Sequence, residues 1–88
     1  MSNHKVTMGE VRVLLALSHG AHKGLDIQKH IREMADVTGP VSLGGVFTEL
    51  SGLEKKKWVR SELERGTGRR NYSLTDEGGN VLSLTQTQ

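Results

Sequence analysis

Residues 58–78 read Trp58-Val59-Arg60-Ser61-Glu62-Leu63-Glu64-Arg65-Gly66-Thr67-Gly68-Arg69-Arg70-Asn71-Tyr72-Ser73-Leu74-Thr75-Asp76-Glu77-Gly78. This stretch decides the fold, because the apolar period changes inside it. Trp58, Val59, Ser61 and Leu63 belong to a strand. Arg65-Gly66-Thr67-Gly68 forms a turn, and Arg69 to Leu74 forms the return strand, with Tyr72 and Leu74 on one side at period 2. Thr75 then caps a last helix, with Asp76 and Glu77 in its first turn, where the helix dipole favours acids. That helix carries Val81, Leu82 and Leu84, and Thr85 to Gln88 is a polar tail.

Three helical segments precede the hairpin. Residues 1–6 are a frayed start. Thr7-Met8-Gly9-Glu10 has the form of a capping box, opening a helix to about Ser18. Val11, Leu14, Leu15 and Ser18 share one face, and Val13 and Leu17 add a second apolar stripe. His19 to Gly24 reads as a loop, with glycines at both ends, Gly20 and Gly24. Ile27, Ile31 and Met34 give a second helix over Leu25–Ala35, ended by Val37-Thr38-Gly39-Pro40-Val41. Ser42 caps a third helix on which Val46, Leu50 and Leu53 are spaced i, i+4, i+7, with Phe47 broadening that face. The other face is small and polar: Gly44, Gly45, Thr48, Ser51, Gly52 and Lys55. Each interior glycine costs about 1 kcal/mol against alanine. This helix therefore depends on packing or on function. Bare backbone permits close approach, either to a groove wall or to another helix.

The expected fold is mainly α with a small β-hairpin, ordered helix, helix, helix, strand, strand, helix. Two helices joined by a short glycine- and proline-containing turn, then a basic hairpin, make a winged helix-turn-helix. At 88 residues the chain is one domain, with an ordered core expected over about 7–84. The chain has no cysteine, which removes disulfides and cysteine-based zinc sites. No signal peptide is recognisable, and the longest apolar run, Val13 to Leu17, is too short to cross a bilayer. A cytoplasmic protein without membrane association is expected.

Charge is distributed unevenly. Lys55, Lys56, Lys57, Arg60, Arg65, Arg69 and Arg70 face only Glu62 and Glu64, a local excess of +5 on a chain of net charge +2. A basic segment on a near-neutral body suits a polyanion. The plainer reading is a solvated hairpin whose charged edges block aggregation. In the functional reading, Arg65, Arg69 and Arg70 reach phosphates or a minor groove beside the third helix. Successive residues turn about 100° around a helix, so Lys55, Lys56 and Lys57 cannot all face DNA. Lys55 follows Thr48 and Ser51 on the open face, which leaves the other two solvated. Ser42, Gly44, Gly45, Thr48 and Ser51 complete the candidate interface, because the start of a recognition helix enters the major groove. Hydroxyls discriminate bases poorly, and no arginine or asparagine stands there to read guanine or adenine.

Other constellations are weaker. Asp26 and His30 share a helix face with His22 just before them. Without cysteine or an H-E-x-x-H pattern they read as exposed polar groups rather than a metal site. Trp58 and Tyr72 alternate with apolar neighbours, which points to cross-strand packing under the third helix rather than base stacking. No G-x-S-x-G, phosphate-binding loop or dinucleotide fingerprint occurs, so neither enzymatic activity nor a cofactor is expected.

Over residues 8–84 the chain also resembles the PadR-like transcriptional regulators. Leu14-Leu15-Ala16-Leu17 with Gly20 resembles the family's first helix and its exit. Gly24-Leu25-Asp26-Ile27 resembles Gly-Tyr-Glu-Ile, with leucine for tyrosine. Val46-Phe47, Leu50 and Leu53-Glu54 resemble the recognition helix. Arg69 to Gly78 resembles the second wing strand and the following helix start. Thr48 stands where the family commonly has proline. Lys57 stands where glycine is usual, which implies a different helix end. Larger members add a helical C-terminal dimerisation region, and this chain stops before one.

The resemblance implies a DNA-binding regulator, in repressor form, of double-stranded DNA; the effector stays open. A winged-helix module for protein–protein contact, without DNA binding, is the alternative. Since the first helix is apolar on two sides and the last offers Val81, Leu82 and Leu84, a homodimer through these helices is expected.

Overall fold

A computed structural model describes residues 6–86; residues 1–5 and 87–88, including the first part of the expected frayed start and the end of the polar tail, lie outside it. Its elements are α1 (Met8–Ser18), α2 (Gly24–Arg32), α3 (Leu43–Lys55), β1 (Val59–Leu63), β2 (Arg70–Leu74) and α4 (Asp76–Gln86). The order is that of a winged helix. The strands pair antiparallel, with Val59 opposite Leu74 and Ser61 opposite Tyr72.

The capping box forms. The Thr7 hydroxyl accepts from the Glu10 amide at 3.1 Å, and the Glu10 carboxylate accepts from the Thr7 amide at 3.0 Å. Ser42 caps α3 by accepting from the Gly45 amide at 2.9 Å. Thr75 caps α4 by accepting from the Gly78 amide at 3.0 Å, and its own hydroxyl donates to the Lys57 carbonyl at 2.7 Å. The second helix is shorter than expected. It starts at Gly24 and stops at Arg32, and the chain then tightens into turns in which the Glu33, Met34 and Val37 amides bond three residues back.

Both apolar stripes of α1 are core. Val11, Val13, Leu14, Ala16 and Leu17 are all buried within the one chain. α1 is the central helix, contacting α2, α3, α4 and β2. The second stripe, which the sequence pattern leaves open between the core and a partner contact, is core: Val13 borders one cleft with Ile31 of α2 and Val46 of α3. Of the residues behind the expected dimer, Leu82 is also core, Val81 is half-buried and Leu84 is exposed.

The end of α3 keeps the geometry that glycine would favour. Lys57 has φ of 66°, in the left-handed region. The Trp58 amide donates to the Leu53 carbonyl and the Lys57 amide to the Glu54 carbonyl, both at 3.0 Å, the paired bonds of a Schellman cap. The expected change of helix end does not occur, because this reversal is what brings β1 back under α3. The side chain adopts a conformation that costs L-residues about 1–2 kcal/mol.

Trp58 and Tyr72 are both buried but are not cross-strand partners. Trp58 sits in the reversal before β1, where the Lys56 ammonium lies 4.7 Å from its ring centre. Tyr72 instead faces Phe47, ring centres 6.5 Å apart.

Candidate nucleic-acid interface

Helix α3 presents an open polar face. Buried Val46, Leu50 and Leu53 point inward, and Gly44, Gly45, Thr48, Ser51 and Lys55 are exposed opposite them. The Thr48 hydroxyl donates back to the Gly44 carbonyl at 3.0 Å, leaving its outer side open. Among the described residues, nothing lies within 4 Å of a Cβ built on Gly44 or Gly52. Packing within the chain therefore does not require these glycines.

The wing stands beside that helix and is braced to it. The Ser61 hydroxyl donates to the Glu54 carboxylate at 2.7 Å, and the Arg70 guanidinium donates to the same hydroxyl at 3.1 Å. Lys23, just before α2, donates to Asn71 at 2.7 Å and to Glu64 at 3.4 Å. The Tyr72 amide donates to the His22 carbonyl at 2.7 Å, which ties the α1–α2 loop to β2. At the wing tip, Thr67 donates to Glu64 at 2.7 Å. The Thr67 hydroxyl first, then Lys23, holds the Glu64 carboxyl below its usual range. Gly66 and Gly68 take positive φ of 89° and 71°, which permits the tight reversal.

Arg65, Arg69 and Arg70 are exposed on this wing. Arg70 is held by Ser61; Arg65 and Arg69 make no side-chain bond among the described residues. Arg69, Arg70, Tyr72, Lys23, Gly24, Leu25, Asp26, Leu43 and Phe47 line one groove of about 480 Å³. The wing arginines and the start of α3 thus border a common space. Ser42 and Gly45 border a different cleft of about 390 Å³, toward Gly9 and Arg12 of α1.

Two further placements depart from the sequence reading, those of Phe47 and Lys56. Phe47 does not join the core face; it is 43% exposed on the wing-side flank of α3. Lys56 is not simply solvated, since its ammonium donates to buried Glu10 at 2.6 Å. Burial raises the Glu10 carboxyl, but Lys56 and the Thr7 amide and hydroxyl outweigh it and hold it below its ordinary value. His30 does not join His22 and Asp26; it bonds His19 at 3.0 Å, while His22 approaches the Tyr72 carbonyl at 3.3 Å. Among the described residues no group of three His, Cys, Asp or Glu is arranged to hold a metal ion. Burial raises the Tyr72 hydroxyl, assisted by the Glu54 carboxylate.

A buried three-helix core, a recognition-type helix and a braced basic wing define a winged-helix protein. The family model described as "Transcriptional regulator PadR-like family" matches residues 13–84, and the chain belongs to that family. Its fold is similar to a PadR family transcription regulator from Clostridium difficile, with 22% identity and a TM-score of 0.75, covering 92% of this chain and 85% of that one. It is also similar to apo MarR from E. coli, with 19% identity and a TM-score of 0.78, covering 94% and 57%. A cysteine-to-serine mutant of ZitR from Lactococcus lactis gives 18% and 0.77, covering 99% and 55%. The chain thus spans little more than half the length of the MarR and ZitR chains. No curated protein matches it. Among the described residues, no helix is long and apolar enough to cross a membrane.

Proposed function

We propose that this regulator binds double-stranded DNA, with α3 in the major groove and the wing on phosphates or in the adjacent minor groove, and that it represses transcription. The observation that carries this reading is the shared groove, where Arg69 and Arg70 of the wing meet the first turns of α3. An open helix face of Gly44, Gly45, Thr48 and Ser51 leaves room for a groove wall, with Ser42 at its cap. Lys55, Arg65, Arg69 and Arg70 supply positive charge around it, which draws phosphates and releases counterions. Backbone contacts of this kind position the protein; base edges specify the site.

Two copies related by a two-fold axis would grip two half-sites about 34 Å apart. Membership of the family supports a dimeric regulator, and symmetric pairing is the commonest assembly. The pairing surface is the outer side of α1 and α4, where Met8 and Leu84 are exposed and Leu15 and Val81 half-buried. Sedimentation on a palindromic duplex gives two chains per duplex if this is right, and one if it is wrong.

Thr48→Glu tests the helix assignment. Thr48 lies opposite the buried face, so the melting temperature should hardly change. A carboxylate there meets phosphates and base acceptors, and duplex binding should be lost. A folded Thr48→Glu protein that binds like the wild type would mean that another surface meets DNA.

A further inference from the structure

The groove between α3 and the wing has an apolar lining and a cationic rim. Leu25 at the start of α2 is 63% exposed and Phe47 on α3 is 43% exposed, with half-buried Leu43 beside them. Leu63 on β1 is also exposed, but Leu25, Leu43 and Phe47 are the large aliphatic and aromatic side chains that gather with Tyr72 in this groove. Phe47 is held in place. A Cβ on Gly24 would come within 2.6 Å of its ring, so the ring lies directly on the bare backbone of α2. The Tyr72 ring, tilted by 46°, bounds it from the wing. One side of the ring is therefore fixed and the other open.

Helical geometry turns Phe47 toward the wing by about 100° from Thr48, so it borders the open face rather than opposing it. From Leu43 to Gly52 no Arg, Lys, Asn or Gln occurs. These are the side chains that read guanine and adenine by paired hydrogen bonds. Among the groups that remain, an apolar cluster recognises an apolar feature. Of the natural DNA bases only thymine offers one in the major groove, its C5 methyl. Charge complementarity favours DNA as the occupant, since three cations, Lys23, Arg69 and Arg70, border the groove against one carboxylate, Asp26.

We propose that Phe47, supported by Leu25 and Leu43, reads thymine through its C5 methyl and is the specificity-determining contact of this interface. The proposal rests on the DNA-binding reading above and adds to it the base that is read. Covering one methyl is worth about fourfold in affinity.

The test compares an alternating dA–dT duplex with the same duplex carrying deoxyuridine, which lacks only the methyl. The full chain is used at low salt. The thymine duplex should bind at least fourfold more tightly. Phe47→Ala should bring the two affinities together. Because Phe47 also packs on Gly24 and Tyr72, Leu25→Ala provides a second variant at a more exposed position; it should reduce the ratio without altering the melting temperature. Equal binding of the two duplexes by the wild type would overturn the proposal while leaving DNA binding standing. So would a thymine preference that survives both Phe47→Ala and Leu25→Ala. Failure to bind either duplex would overturn the proposal and the functional reading together.

Discussion

Adjacent glycines in α4 should respond to alanine with opposite signs. Gly78 is buried where α4 meets the reversal before β1. A Cβ there would overlap the Trp58 carbonyl oxygen, with the carbonyl carbon at 2.8 Å and Cα at 3.1 Å. These are backbone atoms and cannot rotate away, so α4 must shift. The shift strains three bonds at once: the Thr75 amide to the Trp58 carbonyl at 3.0 Å, the Thr75 hydroxyl to the Lys57 carbonyl, and the Gly78 amide to the Thr75 hydroxyl. It also draws Leu82 from the core. A lost cap costs about 1 kcal/mol. A further hydrogen bond costs about 1, and overpacking with backbone movement about 1–3. Less the roughly 1 kcal/mol that alanine gains in helix propensity, Gly78→Ala should destabilise the domain by about 2–4 kcal/mol, or on the order of 10–30 °C in Tm for a chain of this size. At Gly79 nothing among the described residues lies within 4 Å of the added methyl. Gly79→Ala should stabilise by about 0.5–1 kcal/mol through helix propensity alone. Urea and thermal unfolding of the two variants decide it. Gly78→Ala within about 0.5 kcal/mol of wild type, the range of an ordinary surface substitution, would show that α4 does not press on the Trp58 backbone as described.

Two other substitutions probe the frame that carries α3. Lys57→Gly should stabilise by about 0.5–1 kcal/mol, because relief of the left-handed strain exceeds the added freedom of the unfolded chain; a loss of stability would refute the cap geometry. The Glu10 carboxyl is held below its ordinary value, so its contribution is present above about pH 4.5 and fades as pH falls through the lower folded value. Glu10→Gln should cost about 1 kcal/mol at neutral pH and flatten the acid limb of a stability–pH curve; parallel acid limbs for the two proteins would count against the Glu10–Lys56 pair.

Much of the frame was legible because local chemistry decided it. Thr7, Ser42 and Thr75 cap where their hydroxyls predict, and glycines mark the wing turn. Helix α3 was recognised despite its glycines, because Val46, Leu50 and Leu53 hold one face. What escaped the sequence was set by elements distant in the chain. The two apolar stripes of α1 fit either a central core helix or a pairing surface, and only the packing of the other elements around α1 makes both stripes core. Phe47 looked like core because its spacing fits the apolar face; the absence of a side chain at Gly24 is what lets its ring settle outside. Trp58 and Tyr72 share strand periodicity, but the left-handed turn at Lys57 removes Trp58 from the ladder. The clearest signal for the apolar groove was Leu25 itself, a leucine in a first helical turn followed by polar Asp26.

The central claim is that the wing and α3 form one DNA-binding surface, and its most direct measurement is the salt dependence of duplex affinity. Wild type and the Arg69→Ala, Arg70→Ala double variant should be titrated with fluorescent duplex at several salt concentrations. Binding should weaken steeply with salt, with a log–log slope shallower in the variant by roughly 0.9 per lost phosphate contact. The loss should be similar for all sequences, because phosphate contacts carry no base information. Unchanged affinity and slope in a folded double variant would contradict the account.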